Sequence, residues 1–310
     1  MSLNILRVPV PERTQLRVVS SALVDVHEDL ARRPFVAAVI AAIALGALVR
    51  AIPVVAAGFP LNDGGLFFAM TRDLQASHYA LPSVTSYNSA HIPYAYPPLS
   101  FYAAGLLDDA TPLSLLGALR LLPLTSSILA MPAFFLLARR FIASRVALVC
   151  AMFAFALTPH TFDWMIMGGG LTRSTGYLFA LLALHQVHVL YTTRKMRYAL
   201  GAGILGGCTL LSHIEIGWFF VCTSALFFAA YGRSRNGIAG TAVAASIALA
   251  LTAPWWGMVT AHHGVSPFVA AVRSASASQT SPLVRLIAFD VTAEPLFMLI
   301  TASGVLGAIL

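Results

Sequence analysis

Ionisable side chains are costly where water is scarce, so those scattered through this largely apolar chain are the first to question. Asp63 stands in Leu61-Asn62-Asp63-Gly64-Gly65, Asp163 closes Pro159-His160-Thr161-Phe162-Asp163, and His213 and Glu215 share Ser212-His213-Ile214-Glu215. A carboxylate such as Asp63 can take a proton from an attacking hydroxyl, with its pKa set by depth and neighbours. Asp63, Asp163 and His213, with Glu215 beside them, could also hold a divalent metal ion through carboxylate oxygens and imidazole. His213 and Glu215 are two positions apart, diverging by about 200° on a helix but able to converge in a turn. Arg173 follows Gly168-Gly169-Gly170-Leu171-Thr172. Glycines that allow close backbone approach ahead of a helix N-terminus suit a phosphate. Arg273 and Arg285 are the next cations for that role. Plainer readings stand beside these: Asp63 or Asn62 as a helix cap, Arg173 reaching for lipid headgroups, and the His213/Glu215 pair as a polar plug between helix ends.

The elements that must position these groups are transmembrane helices. Of 310 residues, 58% are hydrophobic and only 10% charged, too few charges to clothe a soluble fold of this size, for which about 25% is usual. Apolar runs long enough to cross a bilayer recur along the chain. The expected spans lie near 34–56, 113–138, 146–158, 173–191, 199–213, 216–231 and 237–258. An eighth starts near 292 and is still apolar at Leu310, as in a truncated chain. The net charge of +7 resides in clusters between these runs, which read as topology signals rather than a nucleic-acid surface. Arg32 with Arg33, Arg139 with Arg140 and Arg145, Arg194 with Lys195 and Arg197, and Arg233 with Arg235 mark one side as cytoplasmic. Asp63, Asp73, Asp108, Asp109, Asp163, Glu215, Asp290 and Glu294 fall on the other. Residues 1–33 then form a cytoplasmic N-terminal segment of a multi-pass cell-membrane protein, and 34–310 a transmembrane domain with an outer loop at 57–112.

Two spans are too short. Val146 to Thr158 and Ala199 to His213 reach only about 20–22 Å at 1.5 Å per residue, against about 30 Å of hydrocarbon. The turns that carry Asp163 and His213 are therefore expected beneath the outer headgroups, facing protein or a water-filled cavity. Within the outer loop, Leu66, Phe67, Met70 and Leu74 recur at helical spacing and predict a short interface helix. Tyr94-Ala95-Tyr96-Pro97-Pro98-Leu99 opens a second, running to about Leu107. Arg50, near the outer end of the first span, is expected to pair with a loop acid. His185 and His188, three apart on one helix face, are either a proton relay or a hydrogen-bonded helix contact. Trp255 and Trp256 read as interface anchors or as a stacking surface.

The order of first span, outer loop with an early Asp, interface helix and Tyr-Pro-Pro-Leu helix resembles polytopic glycosyltransferases of the GT-C fold. Leu119-Arg120-Leu121 and Leu137-Ala138-Arg139-Arg140 extend the likeness. The nearest branch contains protein mannosyltransferases, the aminoarabinose transferase and related bacterial membrane proteins, and the likeness covers roughly residues 34–260. No single motif is specific; order and sidedness carry it. Ile214 stands where a proline is usual. The resemblance implies an all-α bundle and a polyprenyl-phosphate-linked sugar donor at the outer leaflet. It also implies a base or metal partner at Asp63, a second acid at Asp163, and sugar transfer to an acceptor by an inverting reaction. Arg173, Arg273, Arg285 and Tyr96 are then assigned to the donor, with Asp63, Asp163, His213 and Glu215 as the reacting set. A secondary transporter and a noncatalytic assembly protein are the rivals, but the former wants polar groups near the midplane in matching halves.

Overall fold

The computed structural model describes residues 13–58, 63–165 and 170–276. The expected span beginning near 292 and Arg285 lie outside the described residues. Among the described residues ten α-helices occur, in the order α1 Arg13–Ala56, α2 Gly64–Ala76, α3 Leu99–Ala110, α4 Leu115–Ala138, α5 Arg145–Leu157, α6 Gly170–Thr193, α7 Arg197–Leu210, α8 Ile214–Phe227, α9 Arg235–His263 and α10 Ser266–Ser276. A two-residue antiparallel hairpin, β1 Val84–Thr85 with β2 Ile92–Pro93, interrupts the segment between α2 and α3.

Among the described residues four stretches are long and apolar enough to cross a membrane: Arg33–Ala56 of α1, α4, Ile214–Gly232 formed by α8 and a π-helical turn, and α9. The chain is a membrane protein. The remaining long helix, α6, falls outside that group because it carries Thr172, Arg173, Ser174, Thr175, His185, Gln186 and His188. It tolerates them because it is the central helix. It packs against α4, α7 and α8, so protein rather than lipid covers most of its surface. Helices α5 and α7 are as short as expected, with 13 and 14 residues.

A helix that stops inside a membrane leaves its last carbonyls without partners, and each must be satisfied from elsewhere in the fold. At the end of α5 that partner is Arg50, which is 1% exposed. Its Nη1 donates to the Ala156 carbonyl at 2.7 Å and its Nη2 to the Phe155 carbonyl at 3.3 Å, while Nε donates to Ser127 Oγ at 3.1 Å. The guanidinium also lies 4.3 Å over the Phe162 ring. Arg50 thus pairs with a helix terminus, not with a loop acid; the partial negative charge of that terminus supplies the attraction. Arg120 serves the end of α1 in the same way, donating to the Val54 carbonyl at 2.5 Å.

The long connection between α1 and α4 folds back onto one end of the bundle. The face of α2 bearing Phe67, Met70 and Leu74 is buried with Tyr94, Phe101, Leu115, Leu119 and Leu171. The helix is therefore sandwiched against α3, α4 and the start of α6 through the apolar face that its spacing predicted. Three of the acids in this connection are spent on ties. Asp73 Oδ2 accepts from Thr85 Oγ1 and the Ser86 amide at 2.7 and 2.8 Å. Gln75 donates to Asp108 and Asp109 at 2.9 and 2.7 Å, and Tyr79 donates to Asp109. The end of α9 joins this cover, with His263 Nε2 2.6 Å from the Ser83 carbonyl.

A candidate site at the loop-bearing end

Three local facts position the site. The first turn of α3 is fixed to the turn between α7 and α8 by the Leu99 amide, which donates to the Leu211 carbonyl at 2.9 Å. Helix α6 meets that turn at Gly176, where an added Cβ would stand 3.2 Å from His213 Cβ and 3.3 Å from Ser212 Cβ. The start of α6 presses on the preceding turn at Gly170, where a Cβ would fall 2.6 Å from the Met165 carbonyl carbon. That glycine admits the backbone of the turn that ends at Met165. Gly168 and Gly169 lie outside the described residues.

These contacts bring Tyr96, Thr172, Arg173, His213 and Glu215 to one place, with Asp63 at its edge. The Tyr96 and His213 rings meet edge to face, 6.2 Å between centroids. Burial is the main influence on the Tyr96 phenol and raises its pKa. Thr172 and Arg173 oppose that rise, whereas Asp63 and Glu215 add to it. The fields of Asp63, Arg173 and Glu215 therefore meet at this one hydroxyl. Arg173 Nη2 pairs with Glu215 Oε2 at 3.1 Å, both groups being partly exposed. Thr172 Oγ1 is fully buried beside the Tyr96 hydroxyl, which it reaches without a hydrogen bond of regular geometry.

His213 and Glu215 do not converge. His213 occupies the N-cap position of α8 in extended backbone, with its ring turned inward, while Glu215 lies in the first helical turn and remains exposed. His213 Nδ1 accepts from the Ile216 amide at 3.4 Å, which places the ring proton of the neutral imidazole on Nε2. Burial, reinforced by the positive charge of Arg173, pushes its pKa down to about 3. At neutral pH His213 is thus a hydrogen-bond donor and a poor base.

Asp63 stands at the N-cap position of α2 but makes no side-chain cap bond. It is exposed and, among the described residues, has neither hydrogen-bond nor ion-pair partner, so its oxygens are available. Asp163 is exposed in a 3-10 turn, Asp163–Met165, where its Oδ1 accepts from the adjacent Trp164 amide at 2.7 Å. No described contact joins it to the other acids. Arg273 is exposed on α10, beside an apolar groove lined also by Val265, Phe268 and Val269. Among the described residues, no three His, Cys, Asp or Glu side chains are gathered closely enough to hold a metal ion. Asp63, Asp163 and His213 therefore do not form a ligand set among the described residues, and Glu215 is engaged by Arg173. Sequence reasoning passed over Thr172 and Gly176, although their spacing of four on α6 puts them on one helix face.

A membrane helix bundle whose first long connection folds two short helices onto one end has the GT-C fold, as the sequence resemblance led one to expect. Solved structures of this fold that are similar to the chain come from the oligosaccharyltransferase of Archaeoglobus fulgidus. The apo form shares 15% identity at a TM-score of 0.55, matching 88% of this chain and 37% of that one. The archaeal oligosaccharyltransferase AglB in complex with an inhibitory peptide and a dolichol-phosphate shares 14% at 0.53, matching 87% and 37%. The complex with Zn and sulfate shares 16% at 0.53, matching 88% and 39%. The likeness is one of fold, and the chain spans under two fifths of the length of these structures. No family model and no curated protein sequence matches it.

Proposed function

We propose that the chain is the membrane part of a glycosyltransferase that moves a sugar from a polyprenyl-phosphate-linked donor to an acceptor. Reaction takes place at the end of the bundle bearing Asp63 and Arg173. The observation that carries this reading is the meeting of a carboxylate with no partner among the described residues, a guanidinium and a neutral imidazole donor around partly buried Tyr96. The fold supports it, since the oligosaccharyltransferase of the same fold has been solved with a dolichol-phosphate.

In this mechanism Asp63 takes the proton of the acceptor hydroxyl as its oxygen attacks the anomeric carbon. The bond from that carbon to the donor phosphate oxygen breaks in line, with inversion, and the electron pair leaves on the phosphate. Arg173 turns from Glu215 to that phosphate, where developing charge is worth stabilising. The Nε2–H of His213 and the phenol of Tyr96 donate to phosphate or sugar oxygens. The recessed turns at 158–165 and 211–213 limit access by water, which would otherwise hydrolyse the donor. Opposite the site, the arginine-rich connections face the cytoplasm, so residues 1–33 form a cytoplasmic segment and the reaction occurs at the noncytoplasmic face of a multi-pass protein. Asp163 keeps a secondary part at the rim, and Arg273 and Arg285 remain candidates for the headgroup side of the donor.

The test is transfer of labelled sugar from a polyprenyl phosphate monosaccharide in membranes containing the Asp63→Asn variant at normal protein level. Undiminished transfer overturns the proposal.

A further inference from the structure

At the end of the bundle opposite the candidate site, the described side chains include Arg33, Arg139, Arg140, Arg145, Arg194, Lys195, Arg197, Arg233 and Arg235, while the acids whose side chains are described sit at the other end. Among the described residues none of these cations forms an ion pair with a carboxylate. Most are solvated and unremarkable. One corner differs.

There Arg140, at the end of α4, donates through Nε to His185 Nε2 on α6, 3.4 Å away. A guanidinium has donors only, so His185 must offer a lone pair and stay neutral, and the other Arg140 donors are left facing outward. One helical turn on, His188 is 8% exposed, and its Nδ1 is buried without a hydrogen-bond partner. Its ring is enclosed by Phe141, Phe227 and Tyr231, at centroid distances of 4.8, 6.0 and 5.4 Å. Two of these aromatics, Phe141 and Tyr231, are themselves exposed, 48% and 45%. The corner thus has a cation with spare donors, a buried ring nitrogen that the protein leaves unmatched, and aromatic faces open to the bilayer. An unmatched buried polar atom beside an unpaired cation calls for an acceptor from outside the fold.

We propose that this corner binds the phosphate headgroup of an anionic phospholipid. Phosphate oxygens accept the outward donors of Arg140, the ring nitrogens of His185 and His188 complete the polar lining directly or through water, and the acyl chains run along Phe141 and Tyr231. Charge favours an anionic over a zwitterionic headgroup, and the exposed aromatics favour a lipid over a free anion. The inference is independent of the activity proposed for the opposite end.

The test uses the full chain extracted from vesicles of equal parts phosphatidylglycerol and phosphatidylcholine, with retained lipid counted by native mass spectrometry. Both lipids offer the same phosphodiester, and the choline cation of phosphatidylcholine cancels its charge, so the attraction of one arginine for net negative charge predicts a roughly fivefold preference for phosphatidylglycerol. Arg140→Gln should bring that preference within about twofold of unity, and Arg72→Gln, at the other end, should leave it intact. Equal retention of both lipids by the parent protein, or an unchanged preference in Arg140→Gln, overturns the proposal. Displacement of the lipid by millimolar inorganic phosphate also overturns it, in favour of a free-anion site. Should Arg140→Gln fail to fold, His185→Phe serves instead: it keeps the arginine, removes the acceptor that orients it, and is expected to weaken the preference.

Discussion

The two ends of this bundle are built from the ends of the same helices, yet they are closed by different means. At the arginine-rich end the connections are 139–144, 194–196 and 233–234, and serines cap the next helices locally, Ser144 to the Ala147 amide at 3.3 Å and Ser234 to the Gly237 amide at 3.1 Å. At the other end local caps also occur, at Ser114 and His213, and the turn at 211–213 is short, but α5 and α7 stop short and further ties cross great sequence distance: Arg50 to residues 155 and 156, Arg120 to Val54, Leu99 to Leu211. Local caps hold a helix end where the chain happens to turn. Long-range ties hold it at a chosen depth and against chosen partners, which is what a reaction site requires. The difference teaches that a recessed helix end draws on polar groups imported from other helices as well as on local ones such as Ser212, whose Oγ donates to the Cys208 carbonyl at 2.7 Å.

Substitutions at the two ends can break or sharpen that contrast. Asp63→Asn should have the largest effect, reducing sugar transfer by about 10²–10⁴-fold at unchanged protein level, as expected for loss of a general base. Arg173→Gln should follow at roughly 10²-fold in kcat/KM for the donor, through loss of charge at the departing phosphate. Among structural ties, Arg50→Met should lower stability by about 2 kcal/mol, since the Ala156 carbonyl loses its donor at about 1–3 kcal/mol, while the Phe155 carbonyl keeps that of Thr161 Oγ1 at 2.8 Å. The check is thermal unfolding in detergent, and Ser144→Ala at the opposite end should cost only about 1 kcal/mol in the same measurement.

The His213 effect has a defined sign. Its folded pKa, near 3, lies below the ordinary value of about 6.5, so the unfolded chain binds the extra proton first. Its contribution is neutral above about pH 6.5 and destabilising as pH falls towards 3, by up to about 1.4 kcal/mol per pH unit. His213→Asn should flatten that part of the stability profile. The smallest change is expected from Gly176→Ala, about 1 kcal/mol, because the neighbouring Cβ atoms need to give by only a few tenths of an ångström.

Much of the architecture was legible because lipid imposes simple rules. Helix positions followed from apolar run length, and the brevity of α5 and α7 could be counted directly. The buried face of α2 was written in Leu66, Phe67, Met70 and Leu74. The acids were harder. All of them look alike in sequence, but the fold spends Asp73, Asp108 and Asp109 on loop ties, gives Asp163 a local bond, pairs Glu215 with Arg173, and leaves Asp63 uncommitted. The two tryptophans likewise part company: Trp255 is buried against Phe268, and Trp256 is exposed. Adjacent positions on a helix point about 100° apart, so a shared sequence context does not mean a shared environment.

The amino-acid order alone determined that this chain is a helical membrane protein with charge segregated by end, because hydropathy and helix rise act residue by residue. Which carboxylate stays free, which nitrogen of His213 holds the proton, and what satisfies Arg50 were decided only by tertiary structure. Arg50 meets partners a hundred residues away, the His213 proton depends on a cap formed at Ile216, and hydrogen bonding and desolvation act over a few ångströms of space rather than along the chain.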